Sequence, residues 1–139
     1  MSPGRRRAAV CSALAACAVL AGCGDQAADL LAIEVSGGPG GRPPHTLVVT
    51  DDGRGRCDTA SLRLLPNERL LEAREVEREI EGPAREGRAY PGGTPGGRSY
   101  VLKTSEGVVR WREGAAGLPP ALPKAAALGL MLERELCGS

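Results

Sequence analysis

Glycine and proline are clustered in this chain, and the clusters set how long any regular element can be. The chain of 139 residues holds 20 Gly and 11 Pro, and they gather at 37–41, 82–83, 91–97 and 119–120. Such clusters interrupt both helices and strands, so only short elements fit between them. Leu31, Ile33 and Val35 alternate with Ala32 and Glu34, which predicts a half-buried strand. His45-Thr46-Leu47-Val48-Val49-Thr50 is β-branched and apolar and predicts a second strand, closed by an Asp51-Asp52-Gly53 turn. Residues 54–58 lead away from that turn, and residues 59–65 fit either a short strand or the start of a helix. Asn67 is placed as a helix N-cap after Pro66, with Glu68 in the first turn. Leu70, Ala73, Val76 and Ile80 follow at helical spacing until Gly82-Pro83 stops the helix. After the Gly/Pro/Arg-rich stretch 84–98 come two strands, 100–104 and 108–112, joined at Glu106-Gly107. Leu118-Pro119-Pro120 then opens a last helix, whose apolar face is Leu122, Ala125, Ala126, Leu128, Gly129, Leu132 and Leu136. The order β-β-α-β-β-α predicts an α+β domain: a small antiparallel sheet of about four strands with helices packed on one face. The order of strands in the sheet stays open.

The N-terminus does not belong to that pattern. Arg5, Arg6 and Arg7 precede an apolar, alanine-rich run over residues 8–20, and small residues follow. This is the layout of a secretory signal. Thirteen residues of helix cover about 20 Å, too short for a hydrocarbon core of about 30 Å, so the run is not expected to span a membrane. The arginines could also belong to a twin-arginine signal, but Ala8-Ala9-Val10 lacks the bulky residues expected after them. The ending Leu20-Ala21-Gly22-Cys23 resembles the bacterial lipobox. That resemblance implies cleavage after residue 22, lipid on Cys23, and a chain held at the extracytoplasmic face of the cell membrane. Residues 23–29 then form the lipidated cysteine and a short polar tether, and residues 30–139 a single domain. Two acyl chains suffice for stable anchoring.

With residues 1–22 removed, 117 residues remain, and the 18 basic residues fall to 15 against 17 acidic ones. A chain of that length suits one small domain. The slight acidic balance and the scarcity of aromatic residues (Tyr90, Tyr100, Trp111, no Phe) argue against nucleic-acid binding. Of five cysteines, Cys11 and Cys17 leave with the signal and Cys23 takes lipid, so Cys57 and Cys137 remain. Two cysteines in an exported domain most simply pair. The alternative is a reactive thiol, for which neither has a histidine nearby in sequence.

Catalytic patterns are thin. His45 is the only histidine, and at a Pro-flanked strand start it reads as an exposed surface residue. No His pair or CxxC spacing suggests a metal site. The glycine-rich stretches lack the GxGxxG and GK[ST] patterns of phosphate loops, so no cofactor is expected. Glu72, Glu75, Glu77, Glu79 and Glu81, interleaved with Arg69, Arg74 and Arg78, read as a solvated helix face. The expectation is a domain that is not an enzyme.

Taken in order, Ile33-Glu34-Val35-Ser36-Gly37-Gly38, the loop ending at Gly41, the strand 46–50, the Tyr100 strand and Leu118-Pro119-Pro120-Ala121-Leu122 resemble the emfourin family. These are small inhibitors of thermolysin-type (M4) metalloproteases such as protealysin. The frame covers most of residues 31–135. Similar lipoproteins occur in actinobacteria, and the Ala, Gly, Arg and Pro content here is that of a high-GC genome. The chain departs from the family at Pro39, where an aromatic is usual, and at Arg98-Ser99-Tyr100 and Arg112-Glu113-Gly114. The resemblance implies a domain that docks loops into a protease cleft. The candidate contacts are Gly37, Gly38, Pro39, Gly40 and Gly41 first, and then the loop 90–97 with Tyr90 as aromatic anchor. The alternative partner is another envelope protein or ligand, bound by an interaction or structural lipoprotein.

Overall fold

The computed structural model describes residues 27–138. It is an α+β fold with one antiparallel sheet in the order β4-β3-β2-β1-β5-β6. The strands are β1 (Asp29–Gly37), β2 (His45–Thr50), β3 (Arg54–Cys57), β4 (Arg63–Leu64), β5 (Arg98–Thr104) and β6 (Gly107–Arg112). The helices are α1 (Asn67–Glu79), α2 (Glu81–Arg85) and α3 (Ala121–Leu136). Among the described residues no helix is long and apolar enough to cross a membrane.

The alternation in β1 fixes the register. Leu31, Ile33 and Val35 stand opposite Val49, Leu47 and His45 on β2, and opposite Thr104, Leu102 and Tyr100 on β5. Tyr100 and Leu102 in turn face Trp111 and Val109 on β6. Cross-strand partners share a face, so these apolar residues form one buried sheet surface. Tyr100 and Trp111 stack there with ring centroids 4.9 Å apart. The core is completed by Ala73, Val76 and Ile80, by Ala84 of α2, and by Leu122, Ala125, Leu128 and Leu132 of α3.

The expected count of four strands is corrected to six. β3 reads Arg-Gly-Arg-Cys and shows no apolar alternation, because Gly55 takes the inward position. A Cβ there would sit 2.9 Å from Leu65 Cδ1 and 3.0 Å from Leu136 Cδ1, so the end of α3 packs almost on bare backbone. β4 is two residues long and cannot display a period.

Two helix boundaries differ as well. The N-cap of α1 is Pro66 (φ −56°, ψ 143°), without a side-chain cap, and Asn67 is the first helical residue. Gly82-Pro83 does not end the helical path but redirects it. A proline ring at 83 would strike the carbonyl of Glu79 in a continuous helix. The chain breaks instead at Ile80, and Pro83 falls in the first turn of α2, where its missing N–H costs nothing. Beyond α2, residues 88–90 run along the outer edge of β6. Tyr90 N–H donates to the Arg110 carbonyl and Arg110 N–H to the Arg88 carbonyl, which covers that edge.

Cys57 ends β3, Cys137 follows α3, and the two are joined in a disulfide with Cα atoms 5.1 Å apart and a sequence separation of 80. Replacing both by Ser should lower unfolding free energy by about 4–5 kcal/mol in the chain-entropy account, read from denaturant midpoints. At the β5–β6 turn, Gly107 (φ +150°) lies under α2, and a Cβ would come within 2.1 Å of the Ala84 carbonyl oxygen. Gly107→Ala should cost at least about 2 kcal/mol, whereas Ala at Gly87, which has open space but φ +63°, should cost less; thermal melts of the two variants compare them.

Candidate functional site

Because the sheet is antiparallel, the end of β1 and the starts of β2 and β5 lie at one end of the strands. The loop 38–44 therefore emerges beside the loop 91–97 and beside the segment after β6. Gly37 pairs with Arg98 across the strands. Gly38, at φ +88°, lies against the Arg98 side chain, where a Cβ would be 2.6 Å from its Cγ. From Pro39 to Pro44 every residue is exposed. Gly37, Gly40 and Gly41 also have positive φ, which lets the loop turn without a Cβ penalty.

Beneath this loop lies a contact that sequence reasoning missed. Arg98 Nη1 donates to both oxygens of Glu133 at 3.0 and 2.9 Å. His45 Nε2 lies 2.5 Å from Glu133 Oε1, close but outside hydrogen-bond alignment. The side chains of His45 and Glu133 are only 11% and 6% exposed. His45 is thus not the surface residue expected, because α3 covers it. The Cys57–Cys137 bond holds the last turn of α3 to the same end of the sheet, one turn beyond Glu133. Asp58 completes the base of the loop: its Oδ1 accepts from Thr46 N–H at 2.8 Å, and its own N–H donates to the Thr46 carbonyl at 2.7 Å.

Burial alone would push the Glu133 carboxyl up, but the Arg98 guanidinium outweighs it, with His45 adding to the effect. The carboxyl is held below its ordinary value near 4.5. Arg98 is correspondingly raised, first by its hydrogen bond to Glu133.

The loop 91–97 is stitched to its neighbour. Thr94 N–H donates to the Glu113 carbonyl at 2.8 Å, and Glu113 N–H to the Arg98 carbonyl at 2.8 Å. Tyr90 is half-buried and packs against the core, so only part of its ring faces outward. The structure therefore brings Gly37, Gly38, Pro39, Gly40 and Gly41 together with the 91–97 loop at one end. Tyr90 sits lower, beside β6.

The acidic run is solvated as expected, with Glu72, Glu75, Glu79 and Glu81 exposed, but several of its carboxylates are ion-paired. Lys124 of α3 reaches Glu75 at 2.9 Å and Glu79 at 3.0 Å. Arg69 is buried and links Glu72 to Glu135 of α3. Among the described residues no group of three or more His, Cys, Asp or Glu could hold a metal ion. Cys23 and the whole segment 1–22 lie outside the described residues. Comparisons with protein-family models, curated proteins and solved structures find no match.

The arrangement at the loop end is that of a solvent-facing loop on a hydrogen-bonded base, and among the described residues no hydrogen bond joins a hydroxyl or thiol to His45. Glu133 makes the base acid-sensitive in a defined sense. A carboxyl held low in the fold adds stability above its unfolded value, near 4.5, and that stability is lost as pH falls through the lower folded value. Glu133→Gln should flatten this acid limb of the stability–pH curve and cost about 3 kcal/mol at pH 7, where Arg98 loses its partner; urea titrations from pH 7 to below pH 4 check both.

Proposed function

We propose that this protein is an exported, lipid-anchored and non-catalytic binding domain that grips a protein partner with the loops at one end of its sheet. A thermolysin-type metalloprotease is the partner class that the emfourin resemblance supplies. The observation that carries the reading is the placement of those loops. β1 leaves the tether side at Asp29 and reaches Gly37 eight residues later. At about 3.3 Å per residue that is a run of roughly 26 Å. The turns after β2 and β5 lie at the Asp29 end, while the loops 38–44 and 91–97 lie at the other. A domain tethered at residue 23 would then direct its exposed loops away from the membrane, toward other proteins of the envelope or medium.

The energetics favour the same surface. A loop that must be ordered on binding loses affinity to entropy. Here the base of the loop 38–44 is fixed by Arg98, Glu133, His45 and Asp58. Only its tip is free to conform to a cleft.

Purified protein added to a panel of thermolysin-type metalloproteases should give a stoichiometric complex and loss of activity with at least one. Replacing residues 39–43 by a Gly-Ser linker of equal length should weaken that inhibition by about a hundredfold or more. Full activity across the panel would remove the protease from the proposal. Mass spectrometry of the native protein should show diacylated Cys23 as the first residue; an intact residue 1–22 segment would remove the anchor.

A further inference from the structure

Between the loop 38–44 and the last turns of α3 lies a cavity of about 340 Å³, lined by Arg42, Arg98, Leu130, Glu133, Arg134 and Gly138. Three arginines face one glutamate there. That glutamate is already engaged, since Arg98 spans both of its oxygens and His45 contacts one. Arg42 and Arg134 are exposed. Neither comes within 4 Å of a carboxylate among the described residues. Leu130 is 38% exposed and gives the cavity an apolar wall. Among the described residues the cavity therefore carries excess positive charge, two guanidinium groups with no carboxylate partner, and a place for an apolar group beside them.

We propose that this cavity reads a carboxylate of the protein partner, an Asp or Glu side chain followed by an apolar residue. Arg42 and Arg134 would take the carboxylate and Leu130 the apolar neighbour. The proposal rests on the reading that the partner docks at the loop end, and it names the partner's chemistry there. Guanidinium groups match carboxylates in shape and donate in parallel pairs, which a lysine cannot do. The engaged Glu133 has a second consequence. It holds Arg98 as part of the floor, so the positive field of the cavity is fixed before any ligand arrives, and no carboxylate of the partner has to displace it. The volume is at the small end of ligand pockets, about 300–1,000 Å³, which suits a side chain and its neighbour rather than a cofactor. The loop that carries Arg42 is the first proposed contact with the partner, so both features would engage one ligand segment.

The test uses two blocked peptides, acetyl-Gly-Asp-Leu-Gly-amide and the same peptide with Asn for Asp, titrated into isotopically labelled full-length protein and followed by amide and arginine side-chain resonances. The Asp peptide should shift the signals of Arg42, Leu130 and Arg134 and bind about tenfold or more tightly than the Asn peptide. Its affinity should fall as salt rises from about 50 mM to about 500 mM. Arg42→Ala and Arg134→Ala should each weaken it about two- to fivefold, while Arg78→Ala, an exposed arginine on α1, should leave it unchanged. Equal binding of the two peptides, shifts confined to other surfaces, or an equal effect of Arg78→Ala would overturn the proposal. Failure here is separable from failure of the broader reading. A protease complex that forms with unchanged affinity in the Arg42 and Arg134 variants would leave the docking reading standing and remove the carboxylate site. Selective Asp-peptide binding with no protease inhibited would do the reverse.

Discussion

The loop end of this domain depends on one buried carboxylate. Glu133 sits on α3, yet its oxygens are met by Arg98 from β5 and His45 from β2. A single acidic group thus ties the last helix to two strands that are separated in the sheet by β1. Removing a carboxylate from water is costly, and the contact compensates only if its partners are close and well placed. The disulfide one turn later supplies that placement covalently. The two constraints act on one helical turn, and together they leave the loop 38–44 with a rigid base and an exposed tip.

That arrangement explains why the fold was legible in some places and not in others. β1, β5 and β6 each bury alternate residues and leave those between them partly or fully open, so a period of two appears directly in Leu31, Ile33, Val35 and in Val109, Trp111. The apolar stripe of α3 appears for the same reason at period 3.6. β3 fails the same test because its inward position is Gly55, emptied so that Leu65 and Leu136 can approach the backbone. Space made for another element leaves no apolar signal of its own. The pairing of Cys57 with Cys137 was readable from elimination among cysteines, given the expectation of an exported chain, and not from any local pattern.

Charged contacts were the least readable part. Arg69 and Glu133 look like members of ordinary solvated faces, since their sequence neighbours are charged too. Their partners, Glu135 and Arg98, are 66 and 35 positions away. Long-range ion pairs have no period, and local i,i+3 or i,i+4 neighbours offer plausible but weaker substitutes. His45 was misplaced for a related reason. A proline-flanked strand start is usually open to water, but here α3 crosses it and closes it off. The glycine run 37–41 was recognisable as a loop; what could not be read was that Arg98 and Glu133 would fix its base.

The distribution of aromatic residues bears on how such a domain could bind at all. Hot spots at protein interfaces are enriched in Trp, Tyr and Arg. Here Tyr100 and Trp111 are buried in the stacked pair, and Tyr90 is half-committed to the core. A domain with no Phe has spent its aromatic rings on its own stability. Arginine is the remaining residue type that can concentrate binding energy at a small site, and the exposed arginines Arg42 and Arg134 stand at the loop end. A binder built this way gains its selectivity from paired charges more than from buried area. On the proposed reading those charges must not be taken up by the domain's own carboxylates, and Glu133, which lines the same cavity, is already engaged by Arg98 and His45.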